Sequence, residues 1–375
     1  MAVNYPPVPN GPFAVGDFAP WFRLPADNRP DFNFSTLAGQ RTVLFFYGSA
    51  RAPKVAAALA ALAQAAVARL RELGVVVVGV SVDAQEQQRF TAQPPRWMRV
   101  LFDLDRTVSR QYAVCGGEEI YRPVALLLDE CLRVAAILPL QDERRFVPEI
   151  IAAAERLPRE EPARPAVPQA PVLLIPNVLD AAACERLIAH YGELGGKPSG
   201  FMEEKGGLTT GVLDSNFKRR RDVLLSEPAL LQMVNRRIQR RVVPEVAKAF
   251  QFHISRFERH LIACYDGEQA GLFRAHRDNT TKGTAHRRFA MSLNLNEGAY
   301  EGGQLRFPEY GNALFRPRTG EAVIFSCSLQ HEALPVTSGL RFALLSFFYD
   351  EAAVQVRQDN LRFVDKEEST RAEAV

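Results

Sequence analysis

The sequence predicts two domains of different class: an α/β sandwich, then a double-sheet β-sandwich or jelly roll with flanking helices. Three observations carry this reading. Buried strands alternate with helices up to residue 156, short strands with Gly/Pro turns dominate from Glu258 onward, and a proline-dense segment separates the two patterns. That segment, Leu157 to Pro171, reads LPREEPARPAVPQAP. Its five prolines can continue neither a helix nor a central strand, so it is expected to be an extended, semi-rigid spacer. The expected organisation is a first domain 1–156, the linker 157–171, a second domain 172–355 and a charged C-terminal tail 356–375.

Each element has a local reason. Arg41–Tyr47 (RTVLFFY) and Gly74–Val82 (GVVVVGVSV) are continuous apolar runs, as strands buried on both faces require. Val55–Leu73 is Ala/Leu-rich and reads as a helix. Asp83–Phe90 is a short helix, Arg99–Phe102 a short strand and Asp105–Tyr112 helical. Val124–Asp129 and Leu132–Pro139 are two strands joined by a tight turn, and Arg144–Arg156 is a closing helix. The second half opens with Val172–Leu179. A helix over 181–194 follows, with Asp180 as N-cap and Gly195-Gly196 as its stop. Lys197–Asn216, rich in Gly, Ser and Thr, is expected to be a mobile loop, and Glu227–Ala249 carries one amphipathic helical pattern. Strands are then expected at Arg259–Asp266, Phe289–Asn296, Gln304–Phe307, Ala322–Phe325 and Phe342–Asp350.

Composition narrows the function classes. Hydrophobic residues make up 47% and charged residues 24%, ordinary values for a globular chain. A net charge of +3 is too small to argue for nucleic acid. No apolar run approaches the roughly 20 residues that span a bilayer, and Met1–Pro6 lacks the basic and apolar regions of a signal peptide. The five cysteines, Cys115, Cys131, Cys184, Cys264 and Cys327, are odd in number and contain no CxxC, so they read as buried free thiols in a reducing cytoplasm. All six histidines lie after residue 189, which puts any His-based chemistry in the second half.

The chemistry concentrates in one spacing. His276 and Asp278 are two residues apart, so on a strand they face one way. His331 follows roughly 50 residues later, far enough for intervening strands to bring it to the same ion. Two imidazoles and one carboxylate fill one face of an octahedron and leave the other open, the arrangement of non-haem Fe(II) oxygenases. Arg341 lies ten residues further on, in an apolar strand where an unpaired guanidinium is costly. Its fork suits the distal carboxylate of a 2-oxo dicarboxylate. His190, His253, His260 and His286 lack the spacing to join and read as surface or packing residues. The basic runs Lys218–Arg221 and Arg236-Arg237…Arg240-Arg241 read as solvated faces.

Two family resemblances rest on longer stretches. GDFAPWFRLPADNRPDFNFSTLAGQRTVLFFYGSA, GVVVVGVSVDAQ and YRPVALLLDE resemble the peroxiredoxin branch of the thioredoxin fold over nearly all of residues 10–156. That family places its peroxidatic Cys eight residues after the Tyr that ends the FFY strand, with a Thr three residues before it. Val55 and Ala52 stand there instead, so peroxide reduction by this route is excluded and the domain reads as inactive; Arg122 matches the family's active-site Arg.

ACYDGEQAGLFRAHRDN, FAMSLNLNEGAYEGGQLRFPEYG and RPRTGEAVIFSCSLQHEALPVTSGLRFALLSFFYD resemble the prolyl-4-hydroxylase-like branch of the 2-oxoglutarate/Fe(II) dioxygenases, a double-stranded β-helix fold. This second resemblance covers roughly residues 172–350. It implies His276, Asp278 and His331 as iron ligands and catalytic centre, Arg341 as the 2-oxoglutarate clamp and Tyr265 as a cosubstrate contact. Some members have a further cosubstrate Tyr where this chain has Asn294, whose amide can hydrogen-bond a carboxylate. The implied cofactors are Fe(II), 2-oxoglutarate and O₂, with ascorbate admitted as an auxiliary reductant. Family halogenases lack the acid and bind chloride in its place, so the retained Asp278 favours hydroxylation of a C–H bond, releasing succinate and CO₂.

The substrate class stays open between a small molecule and a protein side chain. An oxygen- or redox-sensing protein, in which the first domain recruits a partner, is the competing reading. An active peroxidase fusion is nearly excluded by Val55.

Overall fold

The computed structural model describes residues 12–116, 120–158, 163 and 165–365. Two compact units divide between Ala163 and Arg164, within the proline-dense segment. Met1–Pro6, positions 159–162 and 164 of the spacer, and positions 366–375 of the tail lie outside the described residues.

The first unit contains β1 (Arg23–Ala26), β2 (Arg29–Asn33), β3 (Arg41–Gly48), α1 (Pro53–Ala65), β4 (Val75–Ser81), α2 (Ala84–Ala92) and β5 (Arg99–Phe102). It continues with α3 (Thr107–Gln111), β6 (Val124–Leu128), β7 (Val134–Pro139) and α4 (Glu143–Glu155). The sheet order is β2-β1-β5-β4-β3-β6-β7, with β3, β4 and β5 parallel. The fold is the expected thioredoxin-like α/β sandwich; the β1–β2 hairpin is an addition to it.

The unbroken apolar run of β3 has a direct cause. Val43, Phe45 and Tyr47 pack into the core that holds α1 and α4, while Leu44 and Phe46 pack into the core on the opposite face. Asp83 and Asp142 cap α2 and α4 by accepting hydrogen bonds from the backbone N–H of Gln85 and Arg144. Val55 sits in the first turn of α1 and is buried in the same core. Two expectations are corrected. The 18-residue stretch Pro53–Leu70 does have the length and hydropathy of a membrane span, although Val55, Leu59, Leu62 and Leu70 pack into the sheet core. Cys131 is exposed; the other four thiols are buried.

The second unit begins with β8 (Leu173–Ile175), α5 (Ala181–Leu194), β9 (Lys197–Pro198), β10 (Phe201–Lys205), β11 (Leu208–Val212), β12 (Lys218–Arg219) and β13 (Arg221–Leu224). Then come α6 (Pro228–Arg241), α7 (Val243–Phe250), β14 (Arg256–Asp266), β15 (Leu272–His276), β16 (Phe289–Asn294), β17 (Tyr300–Gly302) and β18 (Leu305–Arg306). It closes with β19 (Leu314–Phe315), β20 (Ala322–Ser326), β21 (His331–Ala333), β22 (Val336–Tyr349) and α8 (Glu351–Asn360). A five-stranded sheet runs β12-β15-β21-β18-β19. An eight-stranded sheet runs β8-β20-β16-β22-β14-β13-β9, with β17 attached to β22. Among the described residues the strands of these two sheets pair antiparallel, in keeping with the expected double-sheet β architecture.

Strand parity separates packing from chemistry. Ile262, Met291, Leu293, Phe342 and Leu344 form one core with Leu187 and Tyr191 of α5, Val234 and Ile238 of α6, and Val246 of α7. The alternate residues of the same strands, among them Ala263, Tyr265 and Ala290, form a second core between the sheets together with Val323 of β20.

The structure departs from the sequence reading at three places here. Lys197–Asn216 is not a free loop: β10 and β11 pair as a hairpin, turned at Gly206 and Gly207, both with positive φ. The helix expected over Glu227–Ala249 breaks at Val242, because Pro244 cannot donate an N–H and so begins a new helix. The tail expected from residue 356 is helical at its start, since Asp350 caps α8.

Leu344 is fully buried between helices and sheet on β22, which pairs with β14, β16 and β17. Leu344→Ala should lower stability by about 2–5 kcal/mol, read as a reduced urea midpoint with unchanged slope.

Candidate functional site

His276 ends β15 and His331 begins β21, and the two residues are directly paired across these antiparallel strands. Their ring centroids are 4.3 Å apart. Asp278 lies just beyond the end of β15, in a turn and not on the strand as the spacing suggested. It still converges: its carboxylate oxygens are 3.5 Å from His276 Nε2 and 3.4 Å from His331 Nε2. One ligand atom from each of the three lies within 4.8 Å of the others.

Backbone contacts aim these side chains. His276 Nδ1 donates to Arg274 O at 2.7 Å and His331 Nδ1 to Leu329 O at 3.0 Å, which points both Nε2 atoms toward Asp278. Phe273 stacks on the His276 ring at 3.5 Å between centroids, and Phe325 lies 4.5 Å from the ring of His331. The Asp278 N–H donates to Cys327 O. Glu309 ties the two ligand segments together, accepting from Arg277 at 2.7 Å and from the Gln330 N–H at 2.8 Å.

A buried cluster supports Asp278 from behind. Arg287 makes a two-pronged ion pair with Glu258, each contact 2.7 Å, and its other nitrogen reaches Asp278 O at 3.4 Å. His286 Nε2 donates to the same Glu258 at 3.2 Å. Burial alone would raise the Glu258 carboxyl; Arg287 outweighs it and holds the acid ionised, well below the usual range. The same balance governs Asp278, where burial is overcome by His331 and His276. Burial takes the His331 imidazole down to about 4, against the pull of Asp278. The donor set is therefore a carboxylate and imidazoles whose free nitrogens converge on it, which fits a divalent transition metal.

The site opens into a cavity of about 470 Å³ between the two sheets. Tyr265 and Ser292 line it; Arg341 does not, but its guanidinium lies against both. Arg341 Nη2 donates to Ser292 Oγ at 3.5 Å, and the guanidinium sits 5.0 Å from the Tyr265 ring centre. Arg341 is only 2% exposed, and its Nη1 has no hydrogen-bond partner. A buried guanidinium with an unused donor fits the carboxylate of an anionic cosubstrate. Gly303, at positive φ, makes room for it: a Cβ there would come within 2.9 Å of Arg341 Cδ.

Asn294 is placed differently from its expected role. It is fully buried and outside the cavity lining; its amide donates to Pro317 O at 2.8 Å and accepts from Tyr300 OH at 3.1 Å. The basic runs are corrected as well. Arg240 and Arg241 are buried, and Arg241 donates to the carbonyls of Asn177 and Val178. Lys218 and Arg220 are not solvated: both line the cavity, Arg220 paired with Asp222 at 2.6 Å and donating to Tyr265 OH at 3.3 Å. Sequence reading missed them because a run of four basic residues hides which two face inward. The register of β12, pairing Lys218 with Phe273, decides that. His260 is a core residue, hydrogen-bonded to Asn235 and Ser346 and lowered by burial to about 4.

In the first unit, Val55 is buried and Arg122 exposed, and no thiol stands at either Val55 or Ala52. Residues 15–137 match the AhpC/TSA family, and residues 260–349 match the 2OG-Fe(II) oxygenase superfamily. Peroxiredoxin Bcp of Escherichia coli K12 is 32% identical over 106 residues, 28% of this chain and 67% of that protein. A bcp-type peroxiredoxin of Coxiella burnetii is 32% identical over 145 residues, 36% of this chain and 95% of the relative. Among solved structures, the Trichoplax adhaerens prolyl hydroxylase in complex with a hypoxia-inducible-factor peptide aligns with a TM-score of 0.41 at 17% identity. The alignment covers 50% of this chain and 86% of that one. The chain therefore belongs, by its first unit, to the peroxiredoxin family, and it carries in its second a 2-oxoglutarate/Fe(II)-dependent dioxygenase domain.

Proposed function

We propose that this enzyme hydroxylates a C–H bond of a primary substrate, with Fe(II) held by His276, Asp278 and His331 and the distal carboxylate of 2-oxoglutarate held by Arg341. The observation that carries this reading is the convergence of three ligand atoms within 4.8 Å, beside a buried guanidinium with an unused donor. When bound, Fe(II) and 2-oxoglutarate supply the oxidative decarboxylation that activates O₂. The protein's residues do the rest. The His276 and His331 rings are fixed by their Nδ1–H contacts, so their nitrogens need little reorganisation to ligate. Asp278 brings one negative charge, kept ionised by the neighbouring imidazoles. Tyr265 and Ser292 line the path from the ligands toward Arg341, and Phe273 and Phe325 shield the imidazoles from water.

In this reading the first unit performs no peroxide chemistry. Val55 cannot form a thiolate, and Cys115 lies elsewhere, buried in the isolated pairing of residues 115 and 121. Its role is binding or stability.

Three outcomes test the proposal. His276→Ala or Asp278→Ala should abolish stoichiometric Fe(II) binding after anaerobic reconstitution, together with 2-oxoglutarate decarboxylation; full metal binding in either variant would sink the ligand assignment. Arg341→Ala should retain iron but weaken 2-oxoglutarate by about 2–5 kcal/mol, the scale for removing one partner of a buried charge pair; an unchanged KM for the cosubstrate would refute the clamp. The intact protein should consume no peroxide with a thiol reductant, and Cys115→Ser should change nothing. Peroxide consumption lost in that variant would overturn the inactive reading.

A further inference from the structure

We propose that the primary substrate is an organic carboxylate with an apolar body, its carboxylate bound by the Lys218 ammonium and its body laid against Phe201, Phe217 and Phe273. This rests on the oxygenase reading above and names the substrate class for the same cavity.

Lys218 is 8% exposed and stands in the cavity wall. Its ammonium donates to Ser199 Oγ at 2.9 Å and to Gly200 O, and lies 4.7 Å from the centre of the Phe273 ring. All of these partners are neutral. The other cavity cations each face an acid: Arg220 meets Asp222 at 2.6 Å, Arg277 meets Glu309 at 2.7 Å, Arg287 meets Glu258 at 2.7 Å, and Arg259 lies 3.9 Å from the same Glu258. Among the described residues no carboxylate lies within ion-pair distance of Lys218. Burial and then the Arg220 guanidinium push the Lys218 pKa well down, and the longer-range pull of Asp222 and Asp278 does not outweigh them, so a buried ammonium here lacks a direct ion-pair partner. An anionic ligand supplies the missing charge.

That anion is not the cosubstrate. Lys218 belongs to β12 of the five-stranded sheet, whereas Arg341 belongs to β22 of the eight-stranded sheet, behind Tyr265 and Ser292 of the cavity lining. Lys218 stands with the metal ligands: it pairs with Phe273, whose ring stacks on His276. A carboxylate on Lys218 therefore sets its adjoining carbons against Phe273, next to the metal centre. The wall beside it is aromatic, with ring centroids 4.5 Å apart for Phe201–Phe217 and 5.8 Å for Phe217–Phe273, and all three rings line the cavity. One ammonium and an aromatic wall select a single negative charge on an apolar frame.

The test is anaerobic titration calorimetry on the full chain loaded with Fe(II) and 2-oxoglutarate. The probes are 3-phenylpropanoate against 3-phenylpropanamide, and hexanoate against hexanamide. The acids should bind about tenfold or more tightly than their amides, the scale of a charge-assisted hydrogen bond. Lys218→Met should erase that preference, and Lys218→Arg should keep part of it. Equal binding of acid and amide in both pairs, or no binding of either acid, overturns the inference even where Lys218→Met fails to fold. A Lys218→Met protein that keeps the acid preference but loses 2-oxoglutarate also overturns it, by assigning Lys218 to the cosubstrate. Failure of the unaltered chain to bind Fe(II) and 2-oxoglutarate at all sinks instead the oxygenase reading beneath it.

Discussion

The antiparallel pairing of β15 with β21, which sets His276 opposite His331, is the contact on which the rest of the site depends. Two short strands would be a weak support alone. Glu309 binds the segments on either side of them, and the Asp278 N–H is fixed on Cys327 O. Because the side-chain period of a strand is two, a slip of one residue would turn either imidazole out of the cavity. The ligand geometry is thus a property of register more than of any one side chain.

β22 applies the same rule on the facing sheet. Phe342 and Leu344 look toward the helices, while Arg341, Leu345 and Phe347 look toward the cavity side. One strand seals the helical core and also carries the buried Arg341 guanidinium. The cost of burying Arg341 is borne by a well-packed neighbourhood: Tyr265, Ser292 and the space left by Gly303.

Legibility in the sequence followed the physics of each signal. The runs in β3 and β4 were readable because strands buried on both faces tolerate few polar residues. The helix over 181–194 was readable because Asp180 and Gly195 mark its ends. The pair His276 and Asp278 with distant His331 was readable because metal chemistry limits ligand type and number. What escaped depends on tertiary register or on competing local signals. Gly and Thr in Phe201–Val212 look like loop, yet Gly206-Gly207 is the turn of a hairpin. Arg240 and Arg241 look solvated, yet α6 packs them inward, where Arg241 meets backbone carbonyls. Lys218 and Arg220 sit in a run of like charges whose inward members are chosen by the pairing of Lys218 with Phe273. Asn294 shares a strand with Ser292, but Tyr300 and Pro317 claim its amide.

The separation of His276 from His331 along the chain has a kinetic consequence. The His276–His331 pairing closes a long loop that contains β16 through β20, and loop closure of that kind is slow compared with local helix formation. The first unit, whose parallel strands and helices are complete by Glu155, leaves the ribosome well before this happens. Until β21 has been made, the chain offers His276 and Asp278 without His331. Under the ligand assignment proposed above, the three-residue set is therefore complete only once β21 has been made and paired with β15.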